Sequence, residues 1–237
     1  MRKRIKLLLL IGFCQYGIGQ TVNFKALKII VNNQIEGDAV LTEFDKKTRF
    51  QSNKKLILEK NSAEQIFYDF FKISSQKELK DFFKDELPAT YSNENYIKLI
   101  NVYQMKPEHN FYDLDFKILL KDGENQSVYI KYINHNQVLP KPIASIIYLE
   151  FFNEKWNIKD LGENLELGIF LSCIKGDVLK RMISNELTSL EAKIIVPYVI
   201  NYKINFKKLS NDFFDFKRKN VNHPLVQLIY DKEYSVF

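Results

Sequence analysis

The sequence predicts an α+β fold in which N-terminal helices pack on a curved antiparallel meander and a mainly helical C-terminal extension follows. Three observations carry this. Between Tyr96 and Leu161 four consecutive runs read as strands, and in the second of them Tyr112, Leu114, Phe116, Ile118 and Leu120 fall on every second position. The returns between the later runs, Lys121-Asp122-Gly123-Glu124 and Phe152-Asn153-Glu154-Lys155-Trp156, are too short for a crossover helix, so neighbouring strands must run antiparallel. From Ser62 to Lys84, and again beyond Leu165, the apolar steps change to three and four, the period of a helix.

At the start of the chain Arg2, Lys3, Arg4 and Lys6 precede the apolar run Leu7 to Phe13, and small residues follow at Gly17 and Gly19. This order is that of a secretory signal peptide over residues 1–19, leaving Gln20 first, and the run is too short to span a bilayer. Lipidation of Cys14 is less favoured, because a lipobox such as Leu-Ala-Gly-Cys keeps a small residue before the cysteine and Phe13 stands there. The expected destination is periplasmic or secreted, with no stable membrane span after cleavage. The leader holds four of the 35 basic residues and none of the 29 acidic ones, so the formal charge falls from +6 to +2. Basicity is therefore mostly an export signal, and no dense Lys/Arg patch with interleaved aromatics predicts nucleic-acid binding. Lys217-Arg218-Lys219 reads as the solvated end of a helix. Cys173 alone remains, which excludes an internal disulfide and fits a small buried hydrophobe. About 218 residues suffice for one domain with a sizeable core, or for an α+β domain over 20–161 with an attached part over 162–237.

Residues Ala26 to Val31 and Ala39 to Phe44 read as short strands around a Glu36-Gly37-Asp38 turn, with Lys55 to Glu59 as a third. Ser62 with Gln65 three positions on is a capping-box signature, and Ile66, Phe67, Phe70, Phe71 and Ile73 continue it as an apolar stripe. After Ser74-Ser75 a second helix runs from Gln76 to Lys84, ended by Leu87-Pro88. The strands Tyr96–Met105, Phe111–Leu120, Ser127–Asn136 and Ile143–Phe152 follow, closed by a fifth around Trp156–Lys159. Tyr112, Leu114, Phe116, Ile118 and Leu120 alternate with Asp113, Asp115 and Lys117, which predicts one core face and one wet face. Beyond them Leu165, Leu167, Phe170, Leu171, Ile174, Val178, Leu179 and Met182 recur at helical spacing, broken by Gly168 and Gly176. Thr188 with Glu191 is a further capping box, after which Ile195, Val199, Tyr202, Phe206, Leu209, Phe213 and Phe216 form a helical seam. Between Val196 and Phe206 a strand competes with that helix, since Tyr198, Ile200, Tyr202 and Ile204 alternate by two and Pro197 disturbs a helix.

The stretches SAEQIFYDFFKISSQKELKDFF and YLEFFNEKWNIKDL resemble the opening helices and closing hairpin of the nuclear transport factor 2-like superfamily, also called cystatin-like or SnoaL-like, over roughly residues 62–161. The resemblance implies a cavity between helix and sheet. That cavity serves isomerases, dehydratases and transport factors in the family, so it implies a pocket and not one activity. In ketosteroid-isomerase-like members a tyrosine of the opening helix donates to an oxyanion, and Tyr68 resembles it by position. Asp160, in the parity of Trp156 and Ile158, is the carboxylate whose placement would suit a base.

No G-x-S-x-G, Walker loop, dinucleotide fingerprint or H-E-x-x-H occurs, and His109, His135 and His223 lack zinc spacing, so neither cofactor nor metal is expected. Asp113 and Asp115 read as a solvated strand edge rather than a calcium or acid/base pair. Tyr129, Tyr132, Tyr148, Phe151 and Trp156 are candidates to line an apolar ligand cavity, although aromatics in sheets ordinarily form core. The leading expectation is an exported non-enzymatic module binding a small apolar ligand or a protein partner. The alternatives are a cavity enzyme of the isomerase or dehydratase type using Tyr68 and Asp160, and an envelope structural protein whose pocket is filled by its own side chains.

Overall fold

A computed structural model describes residues 28–32, 35–44, 48–73, 75–83, 108–137, 140–184, 186–200 and 203–236. The signal peptide with Cys14, the Leu87-Pro88 helix stop and the strand expected over 96–105 lie outside these residues. The architecture is α+β, with helices on both faces of a mostly antiparallel sheet. Its strands are β1 (Lys28–Asn32), β2 (Ile35–Glu43), β3 (Arg49–Phe50), β4 (Phe111–Asp122), β5 (Asn125–His135), β6 (Ile143–Phe152), β7 (Lys155–Lys159), β8 (Val199–Ile200), β9 (Lys203–Asn205) and β10 (Ser235–Val236). In space they run β10-β6-β5-β4-β2-β1-β9-β8, with β3 beside β4 and β7 beside β6.

The two tight returns have the backbone their residues favour. Asp122 faces Asn125 across a turn in which Gly123 has φ +59°. Phe152 faces Lys155 across Asn153 and Glu154, both left-handed at φ 49° and 61°, the twist that matches paired strands. Upstream, the expected turn is displaced: Glu36, Gly37 and Asp38 lie inside β2, where they pair with Ile30, Ile29 and Lys28. Lys55–Glu59 forms no strand. Its alternation persists, with Leu56 and Leu58 half-buried on the core and Ile57 in solvent, but no ladder partner among the described residues completes it.

A bulge in β4 overturns the expectation of one core face and one wet face. Opposite β5, Leu114 pairs with Tyr132 while Phe116 pairs with Lys131, so two steps on β4 answer one step on β5. The extra residue is Asp115, and past it every side chain changes face. Tyr112 and Leu114 therefore enter one core, and Phe116, Ile118 and Leu120 enter another on the opposite side.

On the first side lie α1 (Ala63–Phe70) and α2 (Gln76–Leu79), the latter extended by a 3-10 turn over Lys80–Phe82. The Ser62 hydroxyl accepts from the Gln65 amide at 3.1 Å, satisfying one donor of the first turn. The Gln65 side chain turns instead to Asp69, so the capping box is half made. Phe67, Phe70, Ile73 and Leu79 pack with Tyr112, Leu114, Ile130, Leu149 and Ile158 to form the helix-side core. Of the expected core face of β4, Tyr112 and Leu114 pack on the α1 side, whereas Phe116, Ile118 and Leu120 point away because of the bulge.

The other face is covered by α3 (Leu165–Cys173), α4 (Gly176–Ser184), α5 (Ser189–Ile195), α6 (Phe206–Lys219) and α7 (Pro224–Ile229). Phe170, Leu179, Phe206, Phe213 and Val226 meet Phe116, Ile118, Tyr129 and Tyr148 there. Gly168 lets α3 lie directly on the sheet, since a Cβ at this position would come within 2.6 Å of Leu161 and 3.2 Å of Ile146. Thr188 and Glu191 make the full reciprocal capping box of α5. The continuous seam expected from Ile195 is interrupted: Val196–Tyr198 is a 3-10 turn holding Pro197, β8 and β9 follow, and a helix resumes only at Phe206. Proline supplies no amide for an uninterrupted helix, and the alternation by two prevails locally. The C-terminal part is thus not only helical. It gives the sheet β9, parallel to β1, β8 beside β9, and β10, parallel to β6. Among the described residues no helix is long and apolar enough to cross a membrane.

Candidate functional site

Among the described residues two open clefts border the sheet and meet at Phe44 and Leu114, which line both. The helix-side cleft, about 610 Å³, lies between the segment 57–64 and strands β4, β5 and β7. Leu114, Leu119, Val128 and Trp156 form its floor, because these positions share the face that carries the helix-side core. Ile57 and Leu58 form a wall, and an ion pair between Lys117 and Glu64 marks one end. Ile57 is 99% exposed, while Leu56 and Leu58 on either side are half-buried.

The second cleft, about 650 Å³, lies where β2 and β4 meet the start of α4 and the C-terminal segment 230–234, which crosses it as a strap and gives this strap-side cleft its label. Beneath it sits Lys131, whose side chain is wholly buried. Its ammonium donates to the Ile174 carbonyl at 2.7 Å and lies 3.0 Å from Asp115 and 3.9 Å from Asp231. A buried ammonium is stable only when paired and hydrogen-bonded, and these groups meet that need. Burial, followed by the carboxylates Asp231 and Asp115, pushes the Tyr234 hydroxyl up to about 12. Gly176 opens α4 against Asp115, where a Cβ would stand 3.1 Å from the carboxylate.

Beside this cluster Asp113 accepts two bonds from the Arg49 guanidinium, at 2.7 and 2.9 Å, and lies 3.0 Å from His135. Burial pushes the Asp113 carboxyl up, but hydrogen bonds from His135 and Arg49 outweigh it and hold the group below its ordinary value. The reading of Asp113 and Asp115 as a solvated edge is therefore corrected. Strand β4 is internal, between β5 and β2, and both carboxylates are paired by residues distant in the sequence.

The candidates named from sequence fall in different places. Tyr68 is buried on α1, its hydroxyl donating to the Lys54 carbonyl and accepting from the Lys72 ammonium beside a depression of about 20 Å³. Asp160 is exposed at the end of β7, 3.5 Å from the Gly162 amide, and lines neither of the two clefts nor this depression. No family model matches the chain, and no curated protein or solved structure matches it significantly. The aromatic candidates divide between the two faces. Tyr129 and Tyr148 stack on each other at 4.7 Å in the core under the C-terminal helices, where burial raises both hydroxyls. Tyr132 is on the opposite face, packed against Phe67, Phe71 and Tyr112. Only Trp156 lines a cleft, and Phe151 packs edge-on against it at 5.2 Å.

The histidines serve separate ends. His223 caps α7, its Nδ1 accepting from the Leu225 amide, and stacks on Phe216; His109 is exposed beside Glu108; His135 pairs with Asp113. Among the described residues no three of His, Cys, Asp and Glu converge as a metal site requires. Cys173 is buried, which pushes its thiol up. Lys131, Asp231 and Ile57 were not singled out by sequence reasoning. Asp115, a charge in a strand that is internal, pointed toward Lys131 and Asp231, whereas Ile57 lay unremarked within the Lys55–Glu59 stretch read as a strand.

Proposed function

We propose that the chain is an exported, non-enzymatic binding module that takes a small apolar ligand in the helix-side cleft. Ile57 carries this reading. A large aliphatic side chain held wholly in solvent, between two leucines that are anchored in the core, lines a cleft floored by Leu119, Val128 and Trp156. Burying it would gain about 1.5–3 kcal/mol. The cleft volume also falls in the range of small-molecule sites.

The likeness of residues 62–161 to the nuclear transport factor 2-like superfamily supports the same reading, since that family keeps its cavity between helix and sheet. With it we propose the finer arrangement, a meander curved around the N-terminal helices. Export rests on the leader-like order of residues 1–19. The non-enzymatic character is supported by Tyr68, whose hydroxyl is engaged by Lys54 and Lys72, and by Asp160, which stands in solvent.

A thermal-shift screen with apolar compounds tests the proposal. A ligand at about a hundred times its dissociation constant stabilises the fold by about 2.7 kcal/mol. Ile57→Asp should abolish that shift without lowering the melting temperature of the free protein, because the side chain makes little contact with the core. No shift with any apolar compound would favour a protein partner instead.

A further inference from the structure

The geometry points to a second device, independent of the helix-side cleft: the C-terminal segment Tyr230–Val236 is a latched strap that closes over the Lys131 amine, with Asp231 as the latch. The strap is fastened at both ends and is thinly held between them. At one end the Asp231 amide donates to the Cys173 carbonyl at 2.8 Å, and Tyr230 bridges Ile174. At the other the Ser235 amide donates to the Pro142 carbonyl at 3.0 Å, and β10 pairs with β6 through two residues only. Between these points Lys232 and Glu233 are exposed, with the Lys232 ammonium donating to the Gln227 side chain of α7 at 2.8 Å, and the strap lines the cleft.

Lys131 is what the strap encloses. Of the groups around its ammonium, Asp115, Ile174 and the Phe116 ring, 5.5 Å away, belong to the body of the fold, whereas Asp231 and the Tyr234 ring, 5.9 Å away, belong to the strap. The Asp231 carboxylate is mostly shielded, with 15% of its side chain exposed, so its attraction for Lys131 is weakly screened by solvent. Its other oxygen accepts from the Glu233 amide at 3.1 Å, folding the strap into a turn that holds the charge in place. Lifting the strap would remove one carboxylate and one aromatic face. It would leave an ammonium beside Asp115 and the start of α4, open to the strap-side cleft.

Local opening of this kind is read by amide exchange and by amine reactivity in the full-length chain. Asp231→Asn keeps the Oδ1 acceptor of the Glu233 turn and puts a neutral amide nitrogen in place of the carboxylate oxygen that faces Lys131. In this variant, exchange of the 230–236 amides and acylation of Lys131 by N-hydroxysuccinimidyl acetate should both rise about five- to tenfold, with β4 and β5 amides unchanged. In the parent chain Lys131 should react more slowly than the exposed Lys141 and Lys155. Asp115→Asn, which alters the pair on the body of the fold, should leave strap exchange within about twofold of the parent. Unchanged exchange and acylation in Asp231→Asn would overturn the latch. Equal acceleration across β4, β5 and the strap would also overturn it, because Lys131 would then be reached only by global unfolding.

Discussion

Leu114 and Phe116 stand two positions apart on one strand and face opposite cores. The bulge at Asp115 separates them, so α1 packs on the first and the C-terminal helices on the second. Because the sheet is buried on both faces, it behaves as the shared middle layer of two hydrophobic cores.

Truncation in either core should therefore be costly and the two effects independent. Phe70→Ala and Phe213→Ala each remove a fully buried ring and should each cost about 3–5 kcal/mol in chemical denaturation. Since the residues lie in separate clusters across the sheet, the double variant should sum to within about 0.5 kcal/mol. A loss under about 1 kcal/mol for Phe70→Ala would place α1 against solvent or a partner.

The alternation Tyr112 to Leu120 is unbroken in the sequence, and it is the bulge that defeats it. Either phase of β4 meets an apolar layer, so no exposed hydrophobe advertises the change of face. Signals were legible where the physics is local: Ser62 and Thr188 cap the helices that follow them, and Gly123 takes its left-handed turn. Partners of buried charges were not legible, because Asp113 is met by Arg49, 64 positions away, and Lys117 by Glu64, 53 away. Gly168, which weakened the helical reading, is explained by the close approach of α3 to Leu161 and Ile146.

Lys131 should tolerate methionine better than alanine. Alanine leaves a cavity, an Ile174 carbonyl without its ammonium donor and an Asp115 carboxylate without its paired charge, at a cost of about 3–5 kcal/mol. Methionine fills the space of the stem, so its loss should be smaller by at least about 1 kcal/mol in urea denaturation.

Asp113 sets a pH signature. Its carboxyl is held below the ordinary value in the folded chain, so its stabilising effect is fully present above the unfolded value and is lost as pH falls through the folded one. Asp113→Asn should therefore cost about 1–2 kcal/mol near neutral pH, discounted because Arg49 is partly exposed, and progressively less on acidification. Stability curves for the two chains that stay parallel down to strongly acidic pH would refute this assignment.

Trp156 is the single tryptophan of the chain and forms part of the floor of the helix-side cleft, so its fluorescence reports on that cleft alone. Titration with a homologous series of linear fatty alcohols should shift its emission to shorter wavelength in a saturable manner. Affinity should rise by about 0.8 kcal/mol for each methylene added until the cleft is filled. Ile57→Asp should remove the response while leaving the starting spectrum in place. An emission maximum that stays fixed with every member of the series, up to its solubility limit, would contradict the binding-module account.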